Sequence, residues 1–278
     1  MNLPAILLGL AAAVLFAVGS AMEQSTTKQE KVSRTLDPRL ILHLLRRPRW
    51  VLGWVPMIGG TVLQALALRI GPLALVEPLL LAGVFVAVPL SAAFNGQRPA
   101  RRDFVVVALG VVGLSAFLAA ASPEAGLSQA PTSDWVPVLV AVPLAFAVCL
   151  LLAWRVTGAA RGILLGIGAG LLYGFDVSLL KTITVQFSGG LAAVFTSWHV
   201  YALMVGGLTA MILNQNAFQS GRIAAPLTTI ALVDPIVSVV IGVTVYQEVL
   251  SLSGFRLPVV IAAAGLMGYV LWLARKSR

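Results

Sequence analysis

The sequence is poor in the residues from which soluble enzymes and disulfide-bonded proteins are built. It has one cysteine, two histidines and 10% charged residues among 278, whereas a soluble domain usually carries about 25% charged residues. Because Cys149 is alone, a disulfide framework and a cysteine-based metal site are both excluded. The remaining composition is 59% hydrophobic, with a mean hydropathy of +0.96, which is typical of a membrane protein.

Motifs of soluble catalysis are also missing from the sequence. We find no zinc-binding triad, no serine nucleophile elbow and no phosphate-binding loop. Closely spaced glycines at positions 166, 168 and 170 lie in an apolar run with no strand before them, so they do not form a nucleotide loop. We therefore expect neither an enzyme nor a cofactor, and metal binding is left open.

Nine apolar segments can each cross a bilayer as a helix, which takes roughly 20 residues. The segments are Leu3–Met22, Trp50–Leu68, Leu73–Phe94, Phe104–Ala121, Val136–Trp154, Gly162–Leu180, Ala193–Leu213, Ala224–Tyr246 and Leu257–Ala274. The first segment has no basic residues before it, so we interpret it as a retained span rather than a cleaved signal.

The basic residues predict the orientation of these spans. All but three of the 19 Lys and Arg residues fall on one side of a nine-span arrangement, the exceptions being Arg69, Lys181 and Arg256. The positive-inside rule then places the N-terminus outside and the C-terminus in the cytoplasm, in the inner (cytoplasmic) cell membrane. The net charge of +9 is explained by this bias, and we expect no nucleic-acid partner.

Two further features are typical of a bilayer protein. The long cytoplasmic segment Glu23–Arg49 is expected to form a short surface helix on the inner leaflet, with docking of a partner as the alternative. Tryptophans near the ends of spans are expected to settle at the headgroup level. These are Trp50, Trp54, Trp135, Trp154, Trp198 and Trp272.

Two blocks of sequence occur twice, with the same offset. Residues 6–9 (Ile-Leu-Leu-Gly) recur as residues 163–166, and residues 74–78 (Ala-Leu-Val-Glu-Pro) recur as residues 231–235 (Ala-Leu-Val-Asp-Pro). We take residues 1–122 as the first repeat and residues 161–278 as the second, with the fifth span (136–154) as a spacer. An odd number of crossings separates the repeats, so equivalent helices run in opposite directions. The sequence therefore predicts a single all-α transmembrane domain of nine helices, with an inverted four-helix repeat of spans 1–4 and 6–9.

Short motifs follow one another through the second repeat: Asn216-Ala217, Arg222-Ile223-Ala224, the block 231–235, Tyr246-Gln247-Glu248, and Gly265 with Gly268. In this order they resemble the drug/metabolite transporter superfamily, in its nine-span branch near the NIPA-like magnesium transporters and the EamA-type permeases. Those permeases typically end this stretch in Gly-Glu, whereas this chain has Gln247-Glu248, and the first repeat has Asn95-Gly96-Gln97 there. The resemblance implies transport by a two-fold inverted bundle and leaves the solute open.

An acidic residue followed by proline lies within a span of each repeat. A carboxylate in hydrocarbon is costly and usually functional, and proline frees a backbone carbonyl beside it. Asp234, before Pro235, is therefore predicted to bind a proton or cation exchanged with the solute, or else to hold helices together. Glu77, before Pro78, is predicted to line the same pathway, with an ion pair to Arg69 as the alternative.

Other polar residues within the spans are weaker candidates. Asp176 is a third intramembrane acid, and a local pairing with Lys181 is its preferred interpretation. Tyr173 is predicted either to line the pathway or to pack between helices. Amide side chains can hydrogen-bond a polar solute or join helices, and four of them are candidates: Gln64, Asn214, Gln215 and Asn216.

These residues together predict a multi-pass secondary transporter that moves a small polar solute by alternating access, coupled to protons or cations. One alternative is a NIPA-like carrier of magnesium. Another is a non-transporting membrane subunit or lipid-handling scaffold. The expected partners are the lipid bilayer and a small polar solute or cation, and a homodimer is left open.

Overall fold

The computed structural model describes residues 2–27, 48–94, 101–219 and 224–276, and throughout these ranges the fold is all-helical. This confirms the all-α prediction. The surface helix predicted within Glu23–Arg49 falls largely on residues outside the described ranges. The helices are α1 (Leu3–Thr27), α2 (Pro48–Ile70), α3 (Leu73–Phe94), α4 (Arg101–Ala121), α5 (Thr132–Arg155), α6 (Gly158–Gln186), α7 (Leu191–Phe195), α8 (Trp198–Gln219), α9 (Ala224–Thr244) and α10 (Arg256–Lys276).

Six helices of the described chain are long and apolar enough to cross a membrane: α1, α2, α4, α5, α6 and α10. Shorter apolar stretches lie in α3, α8 and α9. These helices indicate a membrane protein. The predicted start of the seventh span at Ala193 is wrong, because Ala193 lies in the short α7 and a turn at 196–197 separates it from α8.

The chain divides into two compact units. Unit 1 comprises Met1–Ala67, Pro78–Ser122 and Ser251–Arg278, and unit 2 comprises Leu68–Glu77 and Pro123–Leu250. In unit 1, α4 packs along α10. Close approach between its helices depends on glycine, because a Cβ at Gly83 would overlap the Ala13 carbonyl and one at Gly110 would overlap the Phe85 ring.

Unit 2 is organised around α6, which packs against α5, α8 and α9. The contact with α9 is closest at Gly174, where an added Cβ would lie 2.7 Å from the Asp234 carbonyl oxygen and 2.8 Å from the Val237 Cβ. One turn earlier, a Cβ at Gly170 would lie 2.8 Å from the Val233 Cβ. This glycine surface brings the polar residues of α6 against the acidic turn of α9.

An aromatic cluster fills the core of unit 2 around Trp135, which has no exposed surface. Its ring makes edge-on contacts with Phe175, Trp198, His199 and Tyr246 at centroid distances of 6.2, 5.6, 5.5 and 5.8 Å. The prediction that Trp135 is a headgroup anchor is therefore wrong. Its position near the start of a span suggested an interface, but the packing of α5 on α6 turns the indole inward.

Replacing Gly174 by alanine should lower the free energy of unfolding by about 1–3 kcal/mol, because the new methyl group meets backbone and a β-branched side chain that cannot move aside. The matched control is Gly265→Ala in α10, where an added Cβ meets nothing within 4 Å. That control should be neutral or stabilising by up to about 1 kcal/mol through helix propensity. Thermal unfolding in detergent compares the two variants, and equal stability would contradict the close packing of α6 on α9.

Candidate functional site

Asp176 lies on α6 with 6% of its surface exposed. Its carboxyl group sits directly against the backbone of α8, where a Cβ at Gly206 would overlap Oδ1 and one at Gly207 would lie 3.5 Å from Oδ2. Both carboxyl oxygens are buried and have no hydrogen-bond partner among the described residues. Buried polar atoms are normally hydrogen-bonded, so this group is an exception that requires an explanation.

Asp234 faces the same region from α9. Its carboxyl group interacts electrostatically with Asp176 and forms a side-chain hydrogen bond with Ser238, one turn further along the helix. Its Oδ1 atom is buried and has no partner among the described residues. Pro235 follows it within the helix and cannot donate to the Ala231 carbonyl. Two predicted site residues on neighbouring helices of unit 2 thus interact electrostatically, and we call them the Asp176–Asp234 pair.

The predicted pairing of Asp176 with Lys181 is wrong. The Lys181 ammonium donates to Glu248 Oε1 at 2.5 Å, and both side chains are buried. The five-residue spacing of Asp176 and Lys181 does not place them on one face of a helix, since facing residues are three or four apart. Glu248 comes from the segment that follows α9.

Glu248 also binds the first turn of α3. Oε1 accepts a hydrogen bond from the Leu73 amide at 2.7 Å, and Oε2 accepts one from the Ala74 amide at 2.9 Å. Amides at a helix N-terminus have no partner within the helix and carry partial positive charge. The buried carboxylate therefore has three hydrogen-bond donors, one of which is the charged Lys181 ammonium.

Tyr246 completes this network from the same segment. The Lys181 Nζ atom lies 4.6 Å from the centroid of its ring. Its hydroxyl donates to the Ser178 carbonyl at 2.6 Å, so the Thr182 hydroxyl, also at 2.6 Å, donates to it. The network fixes the segment after α9 against two successive turns of α6.

Glu248, Lys181 and Tyr246 were not among the predicted site residues. Glu248 was visible in the sequence as the end of the Tyr-Gln-Glu motif, but nothing in its local pattern indicates that it binds Lys181 or the start of α3. The separations of 67 and 175 residues make these contacts properties of the tertiary structure alone.

The other predicted residues are distributed over both units. Glu77 is buried in the first turns of α3 and belongs to unit 2, whereas Gln64 and Pro78 are buried in unit 1. Arg69, the alternative partner of Glu77, donates to the Ser188 hydroxyl at 2.9 Å.

Tyr173 is half-buried on α6. Three of the four candidate amides, Asn214, Gln215 and Asn216, lie near the end of α8. Asn216 Nδ2 donates to the Ile212 carbonyl at 2.7 Å, and the Oδ1 atoms of Asn214 and Asn216 are buried without a partner among the described residues. The side chain of Gln215 is outside the described part of the structure. No convergent group of three His, Cys, Asp or Glu side chains occurs in the described ranges.

Gln247 adopts a left-handed backbone conformation, with φ of +55°. This region favours glycine and costs other L-residues about 1–2 kcal/mol. It is the position at which the resemblance to EamA-type permeases leads one to expect glycine. The loop before α5 packs closely against this turn, because a Cβ at Gly126 would overlap the carbonyl oxygen of Tyr246.

Comparison with known proteins finds a relative that is similar over most of the chain, but it does not indicate an activity. No family model matches the chain, and no solved structure matches it. The chain is 28% identical over 248 residues to an uncharacterized protein of Corynebacterium glutamicum, and the similarity covers 89% of this chain and 86% of that protein.

Replacing Glu248 by glutamine should lower the free energy of unfolding by about 3–5 kcal/mol, because it leaves the Lys181 charge buried without its counterion. The double variant Lys181→Met/Glu248→Gln should recover part of this loss by removing the lone charge. Glu124→Gln, which alters an exposed acid, is the matched control. Additive losses in the double-mutant cycle would contradict a direct interaction between the two side chains.

Gln247→Gly should raise the free energy of unfolding by about 0.5–1 kcal/mol, since relief of the left-handed strain exceeds the entropic cost of glycine. Gln247→Val should destabilise the protein, because a β-branched residue tolerates this conformation least. Thermal unfolding of both variants checks the opposite signs, and a destabilising glycine would show that the Gln247 side chain itself is needed.

Proposed function

We propose that the chain is a secondary transporter that moves a small polar solute or cation across the membrane by alternating access. The observation that carries this proposal is the Asp176–Asp234 pair, two electrostatically interacting carboxyl groups inside an apolar helical unit, with three of their four oxygens buried and without partners among the described residues. Intramembrane acids of this kind mark ion and substrate pathways.

A comparison within unit 2 supports transport over a scaffold role. Glu248 shows what a structural carboxylate requires in this interior: a cation, two amide donors and a fixed geometry. Asp176 has the opposite character, since it is equally inaccessible and has no donor among the described residues. A carboxyl group that only joined helices would be stabilised by a full set of hydrogen bonds. Oxygens without donors among the described residues therefore favour a group that binds and releases a proton, ion or solute.

The proposed topology has nine membrane-crossing helices, namely α1–α6 and α8–α10, with α7 outside the bilayer. Support comes from the long helices that cover the nine apolar segments and from the bias of basic residues. We propose that the protein lies in the inner (cytoplasmic) cell membrane, with the N-terminus outside and the C-terminus in the cytoplasm. The inverted repeat and the resemblance to drug/metabolite transporters are parts of the same proposal, and they favour a binding site near the midplane.

The purified protein in liposomes should take up one or more members of a panel of amino acids, organic amines, nucleobases and magnesium chloride, each tested with and without a pH gradient. Asp234→Asn should reduce this uptake to the level of empty liposomes, because the amide cannot hold an exchangeable cation. Glu124→Gln is the control and should retain wild-type uptake. Unchanged uptake in Asp234→Asn would remove this carboxyl group from the mechanism, and the absence of uptake for every member would contradict transport of these classes.

A further inference from the structure

We propose that the Asp176–Asp234 pair binds the coupling proton of the transporter, and that Asp176 carries this proton in the conformation seen here. The inference rests on the proposed function and adds the identity of the coupling ion.

The surroundings of Asp176 do not supply what an ionised carboxylate needs. Both oxygens are buried and lack a hydrogen-bond donor in the described part of the chain. Removing a charge from water without pairing or hydrogen bonds is so costly that a titratable group neutralises instead. A protonated carboxyl group loses far less on burial, so this environment selects the neutral form.

Within the described part of the chain, the elements packed on α6 offer no fixed positive charge to Asp176. The cation on the same helix, Lys181, is bound to Glu248. Helix α8 presents Gly206 and Gly207, and α9 presents Asp234 and Ser238. Packed against the neighbouring Phe175, α5 contributes the uncharged Trp135.

Packing also limits what else could neutralise the pair. Gly206 lies so close to Oδ1 that even a methyl group would overlap it, and Gly207 borders Oδ2 at 3.5 Å from an added Cβ. A hydrated metal ion needs several oxygen ligands, and an organic cation needs several ångströms of free space. A proton needs neither.

The pair is asymmetric in a way that assigns the proton. Asp234 has a hydrogen bond with Ser238, and a donor of this kind stabilises a carboxylate, whereas the Asp176 carboxyl group has no donor among the described residues. Two carboxylates that share a site repel one another, so one of them retains a proton. Asp176 is therefore the neutral member and Asp234 the member that can ionise. Movement of α8 away from α6 would admit water to Asp176 and release its proton.

Infrared difference spectroscopy of the reconstituted protein tests this assignment directly. At neutral pH the wild-type protein should show the carbonyl stretch of a protonated carboxylic acid in an apolar environment, with the expected shift in heavy water. The band should disappear in Asp176→Asn and persist in Glu124→Gln. A wild-type protein without the band, or a band that persists in Asp176→Asn, would overturn the assignment of the proton to Asp176.

Stability provides a second readout that does not need transport. The folded protein holds a proton that the unfolded chain releases at neutral pH, so stability should fall as the pH rises. Because asparagine resembles a neutral aspartic acid, Asp176→Asn should fold and match the wild type at acidic pH, where the carboxyl group is protonated in both the folded and the unfolded wild-type protein. As the pH rises through the ordinary range of a carboxyl group towards neutrality, the wild type should lose stability that the variant keeps. Parallel declines in the two proteins would count against the proton. Solute uptake that persists without a pH gradient, together with no acid band, would leave the transporter standing and remove the proton from it.

Discussion

The three-way contact of Glu248 with Lys181 and the first amides of α3 is the interaction on which the rest of unit 2 depends. It joins the segment after α9, the second half of α6 and the start of α3 at one buried carboxylate. In an apolar interior, a buried ion pair is strongly destabilising if either charge lacks its partner, because water cannot solvate the unpaired charge. Here the Tyr246 ring and hydroxyl fix the lysine and the helix beneath it.

The Asp176–Asp234 pair differs from Glu248 because three of its four carboxyl oxygens have no hydrogen-bond donor among the described residues. The same helix, α6, carries both Lys181 in its saturated network and Asp176 with unsatisfied oxygens. Glu248 shows that the interior of unit 2 can provide a carboxylate with a full set of hydrogen-bond donors where the structure is rigid. Leaving another unsatisfied is consistent with a group that exchanges its partner, as the alternating-access proposal requires.

Glycine makes both arrangements possible. Helices approach closely only where no side chain intervenes, and Gly174 and Gly206 remove that obstacle on two sides of α6. The same small residues that let α9 and α8 approach leave no polar side chain to satisfy Asp176. Close packing and an unsatisfied acid are thus two consequences of one sequence choice. Gly265 in α10 makes no such contact, because an added Cβ there would meet nothing within 4 Å.

The sequence alone determined the helical membrane class and the approximate extent of the helices, because runs of about 20 apolar residues have few other solutions. It also identified Asp234 and Asp176 as carboxyl groups within apolar spans, where burying a charge is energetically unfavourable. Only the tertiary structure decided the partners. Lys181 pairs with Glu248 across 67 residues, Trp135 turns into a core rather than towards headgroups, and Asp176 interacts electrostatically with Asp234 on another helix. Local spacing constrains neighbours three or four residues apart, whereas these contacts join different helices, and their geometry is set by how those helices pack.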